Sequence, residues 1–167
     1  MITGKDKWVL SALAIAPLDR IRLMKALFRL WWHSGKSIPD FFSFKPYLYG
    51  PWSPEVYDSL ERLEKEGFIV RLPHPVPAWS KYHLTDRGRR AIQGVIPTIN
   101  QSHLGLLKKL THETANLGFY ELLKLVYNES PEFAQNSVVR EVLLHDTDSC
   151  FDGAECRAEW DAFVDIK

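Results

Sequence analysis

Apolar residues recur along this chain at helical spacing in separate runs, and the residues between the runs predict where each element stops. Trp8 to Ala16 reads as a first short helix, closed by Pro17, which disfavours helical backbone in the residue before it. Asp19 fits an N-cap for a second helix over Arg20 to His33, ended by Gly35. That helix is apolar around most of its circumference, through Ile21, Leu23, Met24, Leu27, Phe28, Leu30 and Trp31. Its one polar stripe is Arg22, Lys25, Arg29, His33 and Lys36, at helical spacing, so a single basic line runs along an otherwise buried rod.

The aromatic stretch FFSFKPYLYGPWS at 41–53 reads as irregular. Ser53-Pro54-Glu55 then marks a helix start: a hydroxyl cap, proline at the first position, an acid on the positive end of the dipole. The third helix, Pro54 to Glu66, buries Val56, Leu60 and Leu63. It can form the pairs Asp58–Arg62 and Glu61–Lys65 outside, and Gly67 ends it. Phe68 to Leu72 and Lys81 to Leu84 read as two strands of a hairpin with a stiff proline-rich tip at 73–77. Thr85 caps a helix over Asp86 to Val95, and further helices fit 103–115 and 119–128. A short helix fits Val138 to Leu144, and the tail from Asp146 sets Cys156, Trp160, Phe163 and Val164 on one helical face. Neither internal repeats nor low-complexity tracts occur. The expected division is 1–95, then a helical extension over 96–145 packed on it, then an acidic amphipathic tail over 146–167.

Composition narrows the class. With 46% apolar and 25% charged residues in 167, the chain is globular and long enough to bury a core without disulfides. Its two cysteines, Cys150 and Cys156, are too few for a disulfide scaffold. A net charge of zero hides a split: 15 Lys+Arg against 9 Asp+Glu over residues 1–94, and 6 against 12 over 95–167. Such asymmetry points to an anionic partner for one half, or to attraction between the halves. Lys5 and Lys7 before the apolar run at 8–16 imitate a signal peptide, but the run is short and another apolar helix follows directly, which argues for the cytoplasm. No stretch approaches the ~18 consecutive apolar residues of a membrane span.

Three helices, a two-stranded hairpin and a further helix follow the order of a winged helix-turn-helix, mainly α with a small β wing, whose third helix is the element offered to a major groove. LERLEKEGFIVR at 60–71 and HLTDRGRRA at 83–91 look like that superfamily's passage from helix to wing. More narrowly, PYLYGPWSPEVYDSLERLEKEGFI at 46–69, with RLMKALF at 22–28 and YELLKLVYNESPEFAQNS at 120–137, resembles the Panacea antitoxin domain and its YwgA-like relatives. Trp52 stands where Phe or Tyr would be expected, and the tail after Leu144 has no counterpart in that resemblance. The resemblance implies a non-enzymatic regulator: a toxin-neutralising antitoxin or an adaptor that binds a protein partner, a toxin or effector.

The third helix argues against simple groove reading. Glu55, Asp58, Glu61, Glu64 and Glu66 face only Arg62 and Lys65, and acids are repelled by phosphates. Phosphate contacts, if DNA is bound, are expected from Arg71, Lys81, Arg87, Arg89 and Arg90 around the wing, and from the stripe at Arg22, Lys25 and Arg29. The aromatic stretch is denser than a connector needs. About two-thirds of it should be core, with Tyr47, Tyr49 and Trp52 the candidates for a protein interface beside Glu55 and Asp58. For Trp52 two readings stand, interface anchor or core residue. His145, Asp146, Cys150 and Cys156 match no standard zinc spacing. Scattered histidines, the absence of a nucleophile elbow or phosphate loop, and the lack of any cofactor motif argue against an enzyme. A protein-binding regulator is the first expectation and a DNA-binding transcription regulator the alternative.

Overall fold

The second helix is the axle of the molecule, because it buries apolar side chains on two opposite sides. A computed structural model of the chain describes residue 2 and residues 4–135. The expected helix at Val138 to Leu144, the amphipathic tail and the His145–Cys156 group lie outside these. The described chain runs α1 (Asp6–Ile15), β1 (Leu18–Asp19), α2 (Arg20–His33), β2 (Lys45–Tyr47), β3 (Gly50–Trp52), α3 (Pro54–Lys65), β4 (Ile69–Leu72), β5 (Lys81–Leu84), α4 (Asp86–Val95), α5 (Gln101–Ala115) and α6 (Phe119–Glu129). It is mainly helical with a small antiparallel sheet of order β1-β5-β4 and a separate hairpin β2-β3.

Leu23, Met24, Leu27 and Leu30 of α2 join a core with α1 (Trp8, Val9, Leu10, Leu13), α3 (Val56, Leu60, Leu63) and α5 (Leu107, Leu110). Ile21 and Phe28 join a second core with Phe119, Leu122, Val126 and Tyr127 of α6, and with Phe133 and Ala78. The extension expected from residue 96 therefore shares the first core through α5 and builds the second through α6. The tip between β4 and β5 does not stand clear either. Ala78 is fully buried, and Trp79 meets Phe119 edge-on at 5.0 Å, so the tip folds back toward the start of α6.

The basic stripe of α2 is a seam, not a surface. Arg22 donates to the Leu117 carbonyl at 2.9 Å and pairs with Asp19, which also caps α2 through the Ile21 and Arg22 N–H groups. Arg29 is buried; it grips Glu129 of α6 through two parallel bonds at 3.0 and 3.1 Å, and reaches Glu113 of α5 at 3.1 Å. His33 meets the same Glu129 at 3.1 Å. Burial would raise the Glu129 carboxyl, yet the bonds and charge of Arg29, with His33, hold it below the usual carboxylate range. Lys36, the last of the line, lies over Trp31 and Trp32 at 5.0 and 5.1 Å. The expectation that Arg22, Lys25 and Arg29 could contact phosphate is thus corrected: Arg22 and Arg29 are engaged as above, and the buried Lys25 donates to the Pro51 carbonyl. A guanidinium fork suits that task, since it satisfies several buried acceptors at once.

Candidate interaction surface

The stretch expected to be irregular holds a tight hairpin. Lys45–Trp52, Pro46–Pro51 and Tyr47–Gly50 are paired across β2 and β3. Three contacts fix it from below. Gly50 sits at φ +87°, and a Cβ there would stand 2.6 Å from the Tyr127 ring, so only glycine fits both conformation and space. Lys25 is buried, and its ammonium donates to the Pro51 carbonyl at 2.9 Å. The Ser53 N–H donates to Met24 Sδ at 3.3 Å. Burial drives the Lys25 pKa down from 10.5 to about 7.

Ser53 starts α3 as expected, but not through its hydroxyl. The side chain makes no cap bond, and the buried Oγ has no hydrogen-bond partner among the described residues. The Ser53 carbonyl accepts from the Val56 N–H at 3.3 Å instead, and Pro54 removes one of the N–H groups a cap would have to serve.

Above this base the aromatics divide. Phe41 and Phe42 are core, and Phe44 packs against both cores. Trp52 is half-buried: Tyr47 stacks on it at 4.8 Å, Tyr57 meets it edge-on at 6.2 Å and Lys45 lies over its ring at 5.4 Å. Tyr49 is partly buried against Phe119, and burial pushes its hydroxyl above the ordinary tyrosine range. Tyr47 and Leu48 at the turn remain 39% and 37% exposed. A rigid base thus carries an apolar tip.

The acids offered beside this turn behave differently from one another. Asp58 is exposed. Glu55 is half-buried; it accepts from the Ser43 N–H at 2.8 Å and pairs with Lys5. Burial would raise its carboxyl, but those two partners hold it below the usual range. Glu55 thus ties the N-terminus and the aromatic stretch to α3, a structural role that the sequence did not assign it. Nor does Arg62 pair with Asp58. Its guanidinium bonds the buried Asp6 at 2.7 and 3.1 Å, alongside a 2.6 Å bond from Ser59 to the same carboxylate. Arg62 stays 47% exposed while bonded to Asp6, so the exposed charges of α3 and its C-cap include Asp58, Glu61 and Glu66 against Arg62 and Lys65.

The residues of β4, β5 and α4 expected near phosphate are partly engaged within the chain. Arg71 stands 3.8 Å from Glu64, Arg89 pairs with Asp86 at 2.6 Å and Arg87 lies 4.5 Å over the Phe68 ring. Lys81 and Arg90 are exposed. Val70 and Leu72 on β4, 44% and 51% exposed, were not anticipated as surface residues. With Tyr47 and Leu48 they are the exposed large hydrophobics among the described residues. Cross-strand pairing sets Val70 opposite His83 and Leu72 opposite Lys81, so these four share one face of the sheet.

Among the described residues no His, Cys, Asp or Glu cluster could hold a metal ion, and no helix is long and apolar enough to cross a membrane. Comparison with models of known protein families finds no match, and comparison with curated proteins finds none either.

Proposed function

We propose that this chain is a non-enzymatic regulatory module that binds and controls a protein partner, in the manner of an antitoxin or adaptor, and that its scaffold is a winged helix-turn-helix. The order α1-β1-α2-α3-β4-β5, with β1 completing the sheet beside β5, supports the scaffold. The observation that carries the function is the surface of α3 and its neighbouring turn. The helix that a groove reader would insert, with its C-cap, presents Asp58, Glu61 and Glu66 against Lys65 and an Arg62 already bonded to Asp6; beside it a braced hairpin displays Tyr47 and Leu48. Acids oppose phosphate, whereas an apolar tip on a pre-organised turn loses little entropy when it docks. The partner surface that fits is basic and apolar, as a toxin or effector could supply. The resemblance of residues 46–69 to the Panacea antitoxin domain supports the same reading.

The test is capture of partners from native cells by the full chain, in parallel with a Tyr47→Ser, Leu48→Ser variant. A protein retained by the wild type and lost by the folded variant supports the reading; retention unchanged by the variant contradicts it. DNA-binding transcription regulation is a second reading, favoured by the exposed Lys81 and Arg90 beside Arg87 and Arg89. In that case alanine at Arg87, Arg89 and Arg90 should flatten the salt dependence of binding, by about 0.9 of slope for each phosphate left without its cation.

A further inference from the structure

Charge and apolar exposure on the wing are matched within the chain itself. The described residues carry 18 Lys+Arg against 13 Asp+Glu, a balance of +5, and residues 136–167 carry 3 against 8, a balance of −5. The outer face of β4 and β5 shows Val70 and Leu72, with His83 and Lys81 opposite them. Arg87 and Arg89 lie at the base of the wing, over the Phe68 ring and against the Leu84 carbonyl, and Arg90 is the next residue. β4 is also an edge strand, with its second side unpaired in the sheet order. An exposed edge bearing apolar residues needs a cover.

The last part of the chain has the complementary make-up: Trp160, Phe163 and Val164 among Asp152, Glu155, Glu159, Asp161 and Asp165. It can also reach. The described chain ends just past Phe133 and Ala134, which pack at the far end of α6 from Phe119, and Phe119 touches Trp79, two residues before Lys81. One helix of 11 residues, about 16 Å at 1.5 Å per residue, separates those points. Residues 136–145 alone span up to about 33 Å when extended.

We propose that residues 146–167 dock within the same molecule on the wing face of Val70, Leu72, Lys81 and His83, with their acids toward Lys81, Arg87 and Arg90. Docked there, the tail covers the β4 edge and neutralises the cations that would otherwise be offered to phosphate. The inference is independent of the turn at Tyr47 and Leu48.

The chain provides its own probe, because its two cysteines both lie in the tail. A nitroxide on Cys156 of the full-length Cys150→Ser protein should broaden the amide resonances of Val70, Leu72 and His83, and reduction of the radical should restore them. Val70→Glu with Leu72→Glu, both at exposed positions, should abolish the effect while leaving the remaining spectrum folded. Broadening confined to another surface, or absent throughout, overturns the proposal. So does broadening that persists when nitroxide-labelled protein is mixed with isotope-labelled, radical-free protein, since the tail then docks on a second copy.

Discussion

Lys25→Met is the perturbation that best isolates how the hairpin is held. The ammonium is buried, donates to the Pro51 carbonyl, and has its pKa lowered by burial from 10.5 to about 7. Above pH 10.5 the amine is neutral in both the folded and unfolded chain and burial carries no charge penalty. As pH falls from there, the unfolded chain takes up the proton first, so stability is lost progressively until about pH 7, where the folded form titrates. Each pH unit in that window is worth about 1.4 kcal/mol, so wild-type stability should rise by about 3 kcal/mol from pH 7 to 9.5 on account of this group. Burial raises the pKa of Tyr49, Tyr57 and Tyr82, and these act in the opposite direction only as pH passes the ordinary tyrosine value near 10. Methionine keeps the length and removes the proton. It loses the bond to Pro51, at about 1–3 kcal/mol for the orphaned carbonyl, and is spared the cost of neutralising a buried amine near pH 7. Neutralising the buried amine costs the wild type about 4 kcal/mol at pH 7, so Lys25→Met should be the more stable protein there by about 1–3 kcal/mol, and the wild type should regain about 3 kcal/mol on it by pH 9.5, bringing the two close to parity. Urea unfolding followed by tryptophan fluorescence at several pH values measures the gap directly. Parallel pH curves for the two proteins would refute the buried, proton-dependent Lys25.

Arg29→Ala should cost about 3–5 kcal/mol of stability, because it leaves Glu129 and Glu113 without their shared cation; a loss under 1 kcal/mol in urea unfolding would show the seam to be unimportant. Trp52→Ala should cost about 3 kcal/mol of folding stability, since its ring lies between Tyr47 and Tyr57, whereas Tyr47→Ser should stay within about 1 kcal/mol. An unchanged melting temperature for Trp52→Ala would return that residue to the interface alone. Gly88→Ala should lose about 3 kcal/mol or more, because the added Cβ would stand 2.1 Å from the Phe68 carbonyl oxygen. Thermal unfolding measures it, and a neutral effect would mean that α4 can shift away from β4.

Elements with local punctuation are legible in the sequence. Asp19, Gly35, Pro54, Gly67 and Thr85 mark ends that the structure keeps, with Gly35 and Gly67 at φ +71° and +82°. The hairpin β2–β3 is not legible, since Pro46 and Pro51 face each other across strands of three residues and hide the alternation that marks a strand. β1 has two residues and no pattern to read. The stripe on α2 is visible as a line of cations, but the partners that make it a seam, Pro51, Glu113, Leu117 and Glu129, lie 26 to 100 residues away, so that use depends on tertiary packing. Glu55 fits a dipole-end acid by sequence, yet Lys5 and the Ser43 N–H claim it. The close approach at Gly88 is not legible either, since Gly94 and Gly105 also sit inside helical runs and a Cβ on either would meet nothing within 4 Å. Which side of β4 faces solvent cannot be read from Ile69-Val70-Arg71-Leu72, because both alternations include large apolar residues.

The most direct test of the central claim is the response of DNA binding to the charge of α3. Duplex DNA is titrated with the wild type and with Asp58→Lys, Glu61→Lys, Glu66→Lys at about 50 and about 200 mM salt, using fluorescence anisotropy. The acidic surface predicts negligible wild-type binding, and a gain in the triple variant with a salt slope of about 0.9 per new phosphate contact. Tight wild-type binding that falls steeply with salt would contradict a protein-docking role for this helix.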